Sequence, residues 1–280
     1  MRRSLACVLA CLIAVSVASA VPFGTFSSKA QEDALLSTMQ RELKRATTSL
    51  AQTDPSPYYL SYAVTDSSGT AVIASNGSVV YSTGANRREA DVMMRVGSVA
   101  LDNTHNQSRG SGITSGLLPL NNDTDAIARV LWQLTDREYE QASAAFLKVK
   151  TNNAVQSEEE DKSPDFSKET SQEHVDTSHL PAAFNQKTWE DRTRAISAGF
   201  LKYPDVYESF VSFTVEAERS YLATSEGSAL IRPSAVARLV IQAQTRADDG
   251  TELMRVESFH TRKKVEWIQP QRLAPRWTQF

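Results

Sequence analysis

Apolar side chains recur at every second position from Tyr58 onward, and this alternation limits what the chain can become more than any other feature. Tyr58, Leu60, Tyr62 and Val64 fall on one face, against Tyr59, Ser61, Ala63 and Thr65 on the other. That period belongs to a half-buried strand. Asp66-Ser67-Ser68-Gly69 then reads as a turn into a second short strand, Thr70 to Ser75. Asn76-Gly77 is a strong hairpin signal, answered by Val79 to Ser82. A further strand, Asp91 to Leu101, puts Val92, Met94 and Val96 on one side. Short strands joined by tight turns predict an antiparallel meander.

Helical spacing brackets the meander. Ala34, Met39, Leu43, Ala46 and Leu50 form an apolar stripe within Gln31 to Gln52, and Asp54-Pro55-Ser56-Pro57 stops it. Residues 102–122 are rich in Asn, Ser, Gly and Thr, a loop composition. Asp123 to Thr151 predicts a long amphipathic helix through Ile127, Val130, Leu131, Leu134, Ala142, Phe146 and Val149.

The second half repeats the grammar. Trp189, Thr193, Ile196 and Phe200 mark a helix that ends at Tyr203-Pro204, and Tyr207 to Val215 alternates again. Further strands are predicted over Ser220 to Thr224, Ser228 to Ile231, Ala235 to Arg246 and Thr251 to Phe259. Between the halves, residues 152–180 carry Glu158-Glu159-Glu160-Asp161 and almost no large apolar side chain, which predicts a mobile acidic linker. The expected class is α+β, with antiparallel β-meanders packed with long helices in two similar halves. The expected boundaries are a signal segment at 1–20, a first half at 21–151, the linker at 152–180, a second half at 181–259 and an irregular tail at 260–280.

Met1-Arg2-Arg3, an apolar run from Leu5 to Val17 and Ala18-Ser19-Ala20 have the layout of a cleavable secretion signal. A span needs about 20 apolar residues, so this run predicts export rather than a stable membrane span. Val8-Leu9-Ala10-Cys11 has a faint lipobox look, but the sequence beyond Cys11 stays apolar, which favours secretion over lipid attachment. Cys7 and Cys11 are the two cysteines, so cleavage would leave neither a disulfide nor a thiolate site. Arg2 and Arg3 would leave too, and 28 of the 30 Lys and Arg would then face 33 Asp and Glu. An acidic balance argues against a nucleic-acid partner. An extracytoplasmic location is expected, in the bacterial periplasm or outside the cell.

Chemistry-bearing residues are sparse. His174 and His179 lie in the predicted linker, while Arg262, Lys263 and Lys264 follow His260 and would repel a cation. No metal ligand set and no catalytic residue is therefore expected. Gly110-Ser111-Gly112-Ile113-Thr114-Ser115-Gly116 superficially resembles a nucleophile elbow with threonine in the serine position, though no strand is predicted directly before it and no helix directly after it. Asp102, Asn103 and His105 make the densest polar cluster at a strand end and are the candidate binding residues.

Several segments together resemble a known family: Pro57-Tyr58-Tyr59-Leu60-Ser61-Tyr62, Met94-Arg95-Val96-Gly97, Leu101-Asp102-Asn103-Thr104, Val130 to Asp136 with Tyr139, and Tyr221 to Gly227. Their order and spacing are similar to the amino-terminal half of secreted members of the TldD/PmbA family, described as zinc metallopeptidases and, earlier, as modulators of DNA gyrase. The resemblance covers roughly Leu35 to Phe259. It implies an α+β domain that helps enclose a proteolytic chamber and shape substrate access. In complete members it also implies zinc held by a His-Glu-x-x-x-His helix further along, and this chain contains no His-Glu pair. The expectation is a non-catalytic subunit or truncated member that binds a peptide substrate, a complete TldD/PmbA-type subunit or a second copy of itself. Two other readings stand beside it: an envelope hydrolase using Thr114 or Ser115 in the loop at 110–116, and an unrelated envelope binding module. The export reading predicts that the mature protein begins at Val21. Intact-mass measurement of the extracytoplasmic protein checks it, and a retained Met1 or a lipid-modified Cys11 would refute it.

Overall fold

A computed structural model describes residues 33–105, 112–155, 163–178 and 185–262. The signal segment, Gly110 and Ser111, the run Glu158 to Asp161, His179 and residues 263–280 lie outside the described residues.

Helix α1 spans Ala34–Leu50, and its Asp33 cap accepts the backbone N–H groups of Leu35 and Leu36 at 3.0 and 3.1 Å. Such caps satisfy donors that the first helical turn leaves open. Strands β1 (Pro57–Ser75) and β2 (Ser78–Val96) form a hairpin joined by Asn76 and Gly77 alone. Both turn residues have positive φ, 48° and 78°, as a two-residue hairpin turn requires. After β3 (Ile113–Leu117) comes α2 (Thr124–Val155), followed by the short β4 (Glu173–Val175) and α3 (Gln186–Ala198), which runs into a 3-10 turn ending at Lys202. Strands β5 (Val206–Thr224), β6 (Ala229–Arg246) and β7 (Glu252–Thr261) complete the described elements.

All seven strands join one sheet in the order β3-β2-β1-β5-β6, with β4 and β7 both on the outer side of β6. β4 runs parallel to β6 beside Ala229 to Ile231, and β7 runs antiparallel beside Ala237 to Arg246. The class is α+β, as the alternation and helical spacing imply. Strands from both halves of the sequence meet at the centre, where β1 pairs with β5 from Ser61↔Thr224 to Ala74↔Val211.

The strands are longer than their sequences suggest. The expected turn at 66–69 is absent and the predicted strands run together through 216–219 and 232–234, because those residues pair with one another across the sheet. Asp66 lies opposite both Arg88 and Arg219, and Ser67 lies opposite Arg87 and Glu218. Arg88, 7% exposed, donates to Asp66 at 2.6 Å and also to the carbonyls of Pro119 and Asn121. Pro233 fits inside β6 because its missing N–H falls between β4 and β7, where no described strand pairs. The sequence 113–117, read as loop, is strand β3, and the final strand runs on to Thr261.

Two apolar clusters flank this polar waist. Leu60, Tyr62, Val64, Val92, Met94 and Tyr221 pack with α1 and α2 at one end. Val211, Phe213, Leu239 and Ile241 pack with Trp189 of α3 at the other, where the Trp189 and Phe213 rings stack 3.6 Å apart. On β5, Val211, Phe213 and Val215 of one cluster share strand parity with Tyr221 and Ala223 of the other, so both clusters occupy the same face of the sheet. Described parts of the segment expected as a mobile linker are docked on the rest of the chain, among them β4, and Phe166, whose N–H donates to the Val99 carbonyl at 3.1 Å.

Gly97 closes β2 at φ 105°, and a Cβ there would lie 2.6 Å from the Phe146 ring and 2.7 Å from the Leu101 carbonyl. Gly97→Ala is expected to cost about 3 kcal/mol from backbone strain and overpacking combined. Urea unfolding monitored by far-UV circular dichroism checks this, and a loss within error of zero would refute it.

Candidate functional site

Where β2 leaves the sheet, the chain must turn without leaving its backbone groups bare. Asn103 does part of this: its side-chain oxygen accepts the Val96 N–H at 2.9 Å, and its amide donates to the Met94 carbonyl at 3.4 Å. Gly97 bridges to Asp102, which places the Asp102 side chain in a fully buried position. An isolated buried carboxylate is costly, so its partners decide whether the turn survives.

The partners are numerous. One oxygen of Asp102 accepts the Tyr58 hydroxyl at 2.6 Å and an Arg95 N–H at 2.8 Å. The other accepts the backbone N–H and the hydroxyl of Thr104, both at 2.7 Å. Four donors use the acceptor capacity of a carboxylate. Burial raises the pKa of Asp102, but the hydrogen bonds from Tyr58, Thr104 and Arg95 outweigh it and hold the carboxyl below its ordinary value. Tyr58 shifts the other way: burial, then the hydrogen bond to Asp102 and its charge, push the phenol well above its usual range.

A second tier docks on this node from residues 163–178. Asp165 accepts the Asp102 N–H at 2.8 Å with one oxygen and meets Nδ1 of His105 at 2.6 Å with the other. Phe166 caps the assembly. Its ring lies 5.0 Å from Tyr59 and 5.9 Å from Tyr58, and the Arg95 guanidinium sits 4.5 Å above it. Arg95 Nε is buried without a hydrogen-bond partner, so this cation–π contact helps offset its desolvation.

The three sequence-predicted residues, Asp102, Asn103 and His105, thus come together in one network. Sequence reasoning did not select Tyr58, Arg95 and Thr104 as site residues, although all three lie in the motif segments. Asp165 and Phe166 had no signal at all, since they sit in a polar stretch without periodicity. The other motif residues also converge on this end of the sheet. The Tyr62 hydroxyl meets Thr135 at 2.7 Å, Tyr139 donates to the Pro55 carbonyl, and the Leu60 N–H donates to the Ser225 hydroxyl while its carbonyl accepts the Ser225 N–H.

Other candidates are committed elsewhere. Thr114 is buried in β3 and donates its hydroxyl to Glu138, while Ser115 donates to Asp91. Neither hydroxyl bonds a histidine or lysine among the described residues, so no nucleophile-base pair forms there. Glu138 is fully buried on α2, and burial raises its pKa despite the Thr114 hydrogen bond. The described residues do not fit a zinc ion of the kind the family resemblance implies. Among them no three His, Cys, Asp or Glu side chains are grouped so as to hold a metal ion, and His174 and His260 lie on different strands beside distant parts of β6. No helix among the described residues is long and apolar enough to cross a membrane.

Solved structures share this fold, three of them as follows. One is described as a modulator of a DNA gyrase from Thermotoga maritima, with TM-score 0.52 and 13% identity over 84% of this chain and 46% of that chain. TldE from Thermococcus kodakarensis matches with TM-score 0.51 and 9% identity over 81% and 43%. A protein described as a modulator of DNA gyrase from Bacteroides thetaiotaomicron matches with TM-score 0.53 and 11% identity over 86% and 48%. The fold is TldD/TldE-like. It is the fold that the motif segments imply, and the chain spans less than half the length of each of these solved chains. No family model and no curated protein matches the sequence.

In this TldD/TldE-like fold, Asp102 is expected to act as a structural node. Asp102→Asn would leave the Arg95 cation without its counter-charge and is expected to cost about 3 kcal/mol. The lowered folded pKa means that the carboxylate stabilises the protein fully above about pH 4 and that this contribution fades as pH falls through the folded value. Thermal unfolding between pH 7 and pH 2 should therefore show a shallower acid limb in Asp102→Asn than in the wild type. Parallel acid limbs would refute the assignment.

Proposed function

We propose that this chain is an exported, non-catalytic TldD/TldE-like subunit, and that the end of its sheet around Tyr59, His105 and Phe166 binds a peptide segment or a partner subunit that carries the metal. The reading rests on the saturation of the polar cluster. Asp102 spends both oxygens on four donors, and Asp165 spends both on Asp102 N–H and His105. Such a cluster is built to hold a surface in place rather than to take protons from a substrate. What it holds is an aromatic surface, with half-buried Tyr59 against half-buried Phe166, whose ring lies over the Arg95 guanidinium. Aromatic side chains beside arginine are common anchors in recognition sites.

Export rests on the sequence of residues 1–20, and the metal-bearing partner rests on the resemblance together with the poor fit of the local donors to zinc. The partner is a complete subunit of the same fold or a second copy of this chain.

The purified mature protein is expected to hold substoichiometric zinc, to cleave no peptide alone and to keep its thermal midpoint in chelator. A pull-down from the periplasm is expected to bring a complete TldD/PmbA-type protein with it. One tightly held zinc per chain, with chelator-sensitive proteolysis abolished by His105→Ala or His260→Ala, would overturn this reading.

A further inference from the structure

Helices α1 and α2 cover one end of the sheet, and between their outer sides they leave an open groove of about 570 Å³. α1 lines it with Arg41, Glu42 and Arg45, and α2 with Asp125, Arg129 and Trp132. Residues 41 and 45 lie one helical turn apart, as do 125 and 129, with 132 a further turn along. Each helix therefore turns one stripe of side chains toward the groove. Lys44 is exposed beside them, and Glu42 is the sole acid of α1.

The acid is already engaged. The Glu42 side chain is 9% exposed and meets Nε of both arginines of its helix, Arg45 at 2.6 Å and Arg41 at 3.8 Å. A guanidinium held through Nε keeps its two terminal nitrogens for other acceptors. Arg45 Nη2 is buried without a hydrogen-bond partner, so this group carries donor capacity that the protein does not use. Arg129 enters no ion pair among the described residues. Arg41, Lys44, Arg45 and Arg129 thus outnumber Glu42 and Asp125, on a chain whose formal charge is −3. A locally positive surface on an acidic chain attracts anions to one place and orients what it binds. The contact from Glu42 also orders Arg45 in advance, which lowers the entropy lost on binding.

Trp132 decides which anion fits. It is 51% exposed and stands among the guanidiniums. An indole has an apolar body and one N–H, and it is favoured at the level of lipid headgroups, where one side is apolar and the other wet. The groove is too open to enclose a small ligand. A bilayer instead presents many phosphodiesters side by side, so arginines on two helices can each meet one. We propose that this groove docks the protein reversibly on an anionic phospholipid surface, with lipid phosphates against Arg41, Arg45 and Arg129 and with Trp132 in the headgroup layer. The contact is peripheral and crosses nothing. It goes beyond the proposed function and does not depend on a metal-bearing partner.

Co-sedimentation of the purified mature chain with vesicles tests the proposal, using phosphatidylcholine alone or mixed with phosphatidylglycerol. The mature form is used because the apolar run from Leu5 to Val17 would enter any bilayer. Binding is expected only where phosphatidylglycerol is present, and it should fall as salt rises. Arg41→Gln and Arg129→Gln, at exposed positions, should each leave the thermal midpoint unchanged and weaken binding about fivefold. Phosphatidylglycerol with brominated chains reads the orientation. It should quench tryptophan emission in the wild type, and Trp132→Phe should remove that quenching. Equal binding to neutral vesicles, arginine variants that bind as the wild type does, or quenching that survives Trp132→Phe would overturn the proposal. Titration with glycerol phosphate and with polyglutamate separates the other sources of negative charge. Arg129-dependent binding of either, without binding to vesicles, would assign the groove to a soluble phosphate or an acidic protein segment and overturn the membrane reading. Neither zinc content nor co-purification of a partner enters these outcomes, so failure here is distinct from failure of the proposed function.

Discussion

The antiparallel ladder between β1 and β5 binds the first half of the chain to the second, and the rest of the structure is arranged around its length. A strand of 19 residues extends about 60 Å at the usual rise, whereas a 17-residue helix such as α1 covers about 25 Å. One short helix cannot shield such a sheet. Two apolar clusters on the same face answer this, with α1 and α2 at one end and α3 at the other. Between them the sheet must satisfy itself, and it does so with cross-strand polar pairs such as Asp66 with Arg88.

That division explains why the polar waist is stable without being a turn. Gly69, Glu216 and Asp66 would each weaken an isolated hairpin, since glycine and acidic residues are poor strand formers. Here each has neighbours on both sides, and the ladder continues through them from one core to the other. Arg88 carries the waist outward by donating to two carbonyls of the loop before α2. The loop is thereby fixed to the same pairing that joins the halves.

Much of this was legible in the sequence, and the failures have a common origin. Asn76-Gly77 announced itself because a two-residue hairpin needs positive φ at both positions, a local demand. Leu60, Tyr62 and Val64 did so because one face of their strand is buried. Asp66-Ser67-Ser68-Gly69 read as a turn because its polarity has no local explanation; the explanation is Arg88 and Arg219, on two other strands. β3 was hidden by its Gly, Ser and Thr content, which looks like loop until β2 pairs with it. At the candidate site, Asp102, Asn103 and His105 stood out by density, and Tyr58 and Arg95 lay within the quoted motifs. Asp165 and Phe166 did not, because their partners are 60 or more residues away and nothing periodic surrounds them.

The motif residues also change meaning once they are seen together. Tyr58, Arg95 and Asp102 form one hydrogen-bonded unit, Tyr62 reaches Thr135, and Ser225 reaches Leu60. Each joins two elements by a buried or half-buried polar contact at the same end of the sheet. Replacing one member of such a contact strands the other, which is more costly than losing the bond itself. A pattern of this kind therefore marks the fold more strongly than it marks chemistry. It accounts for a motif resemblance that leads to a TldD/TldE-like architecture: the residues that carry the resemblance are the ones that tie its elements together.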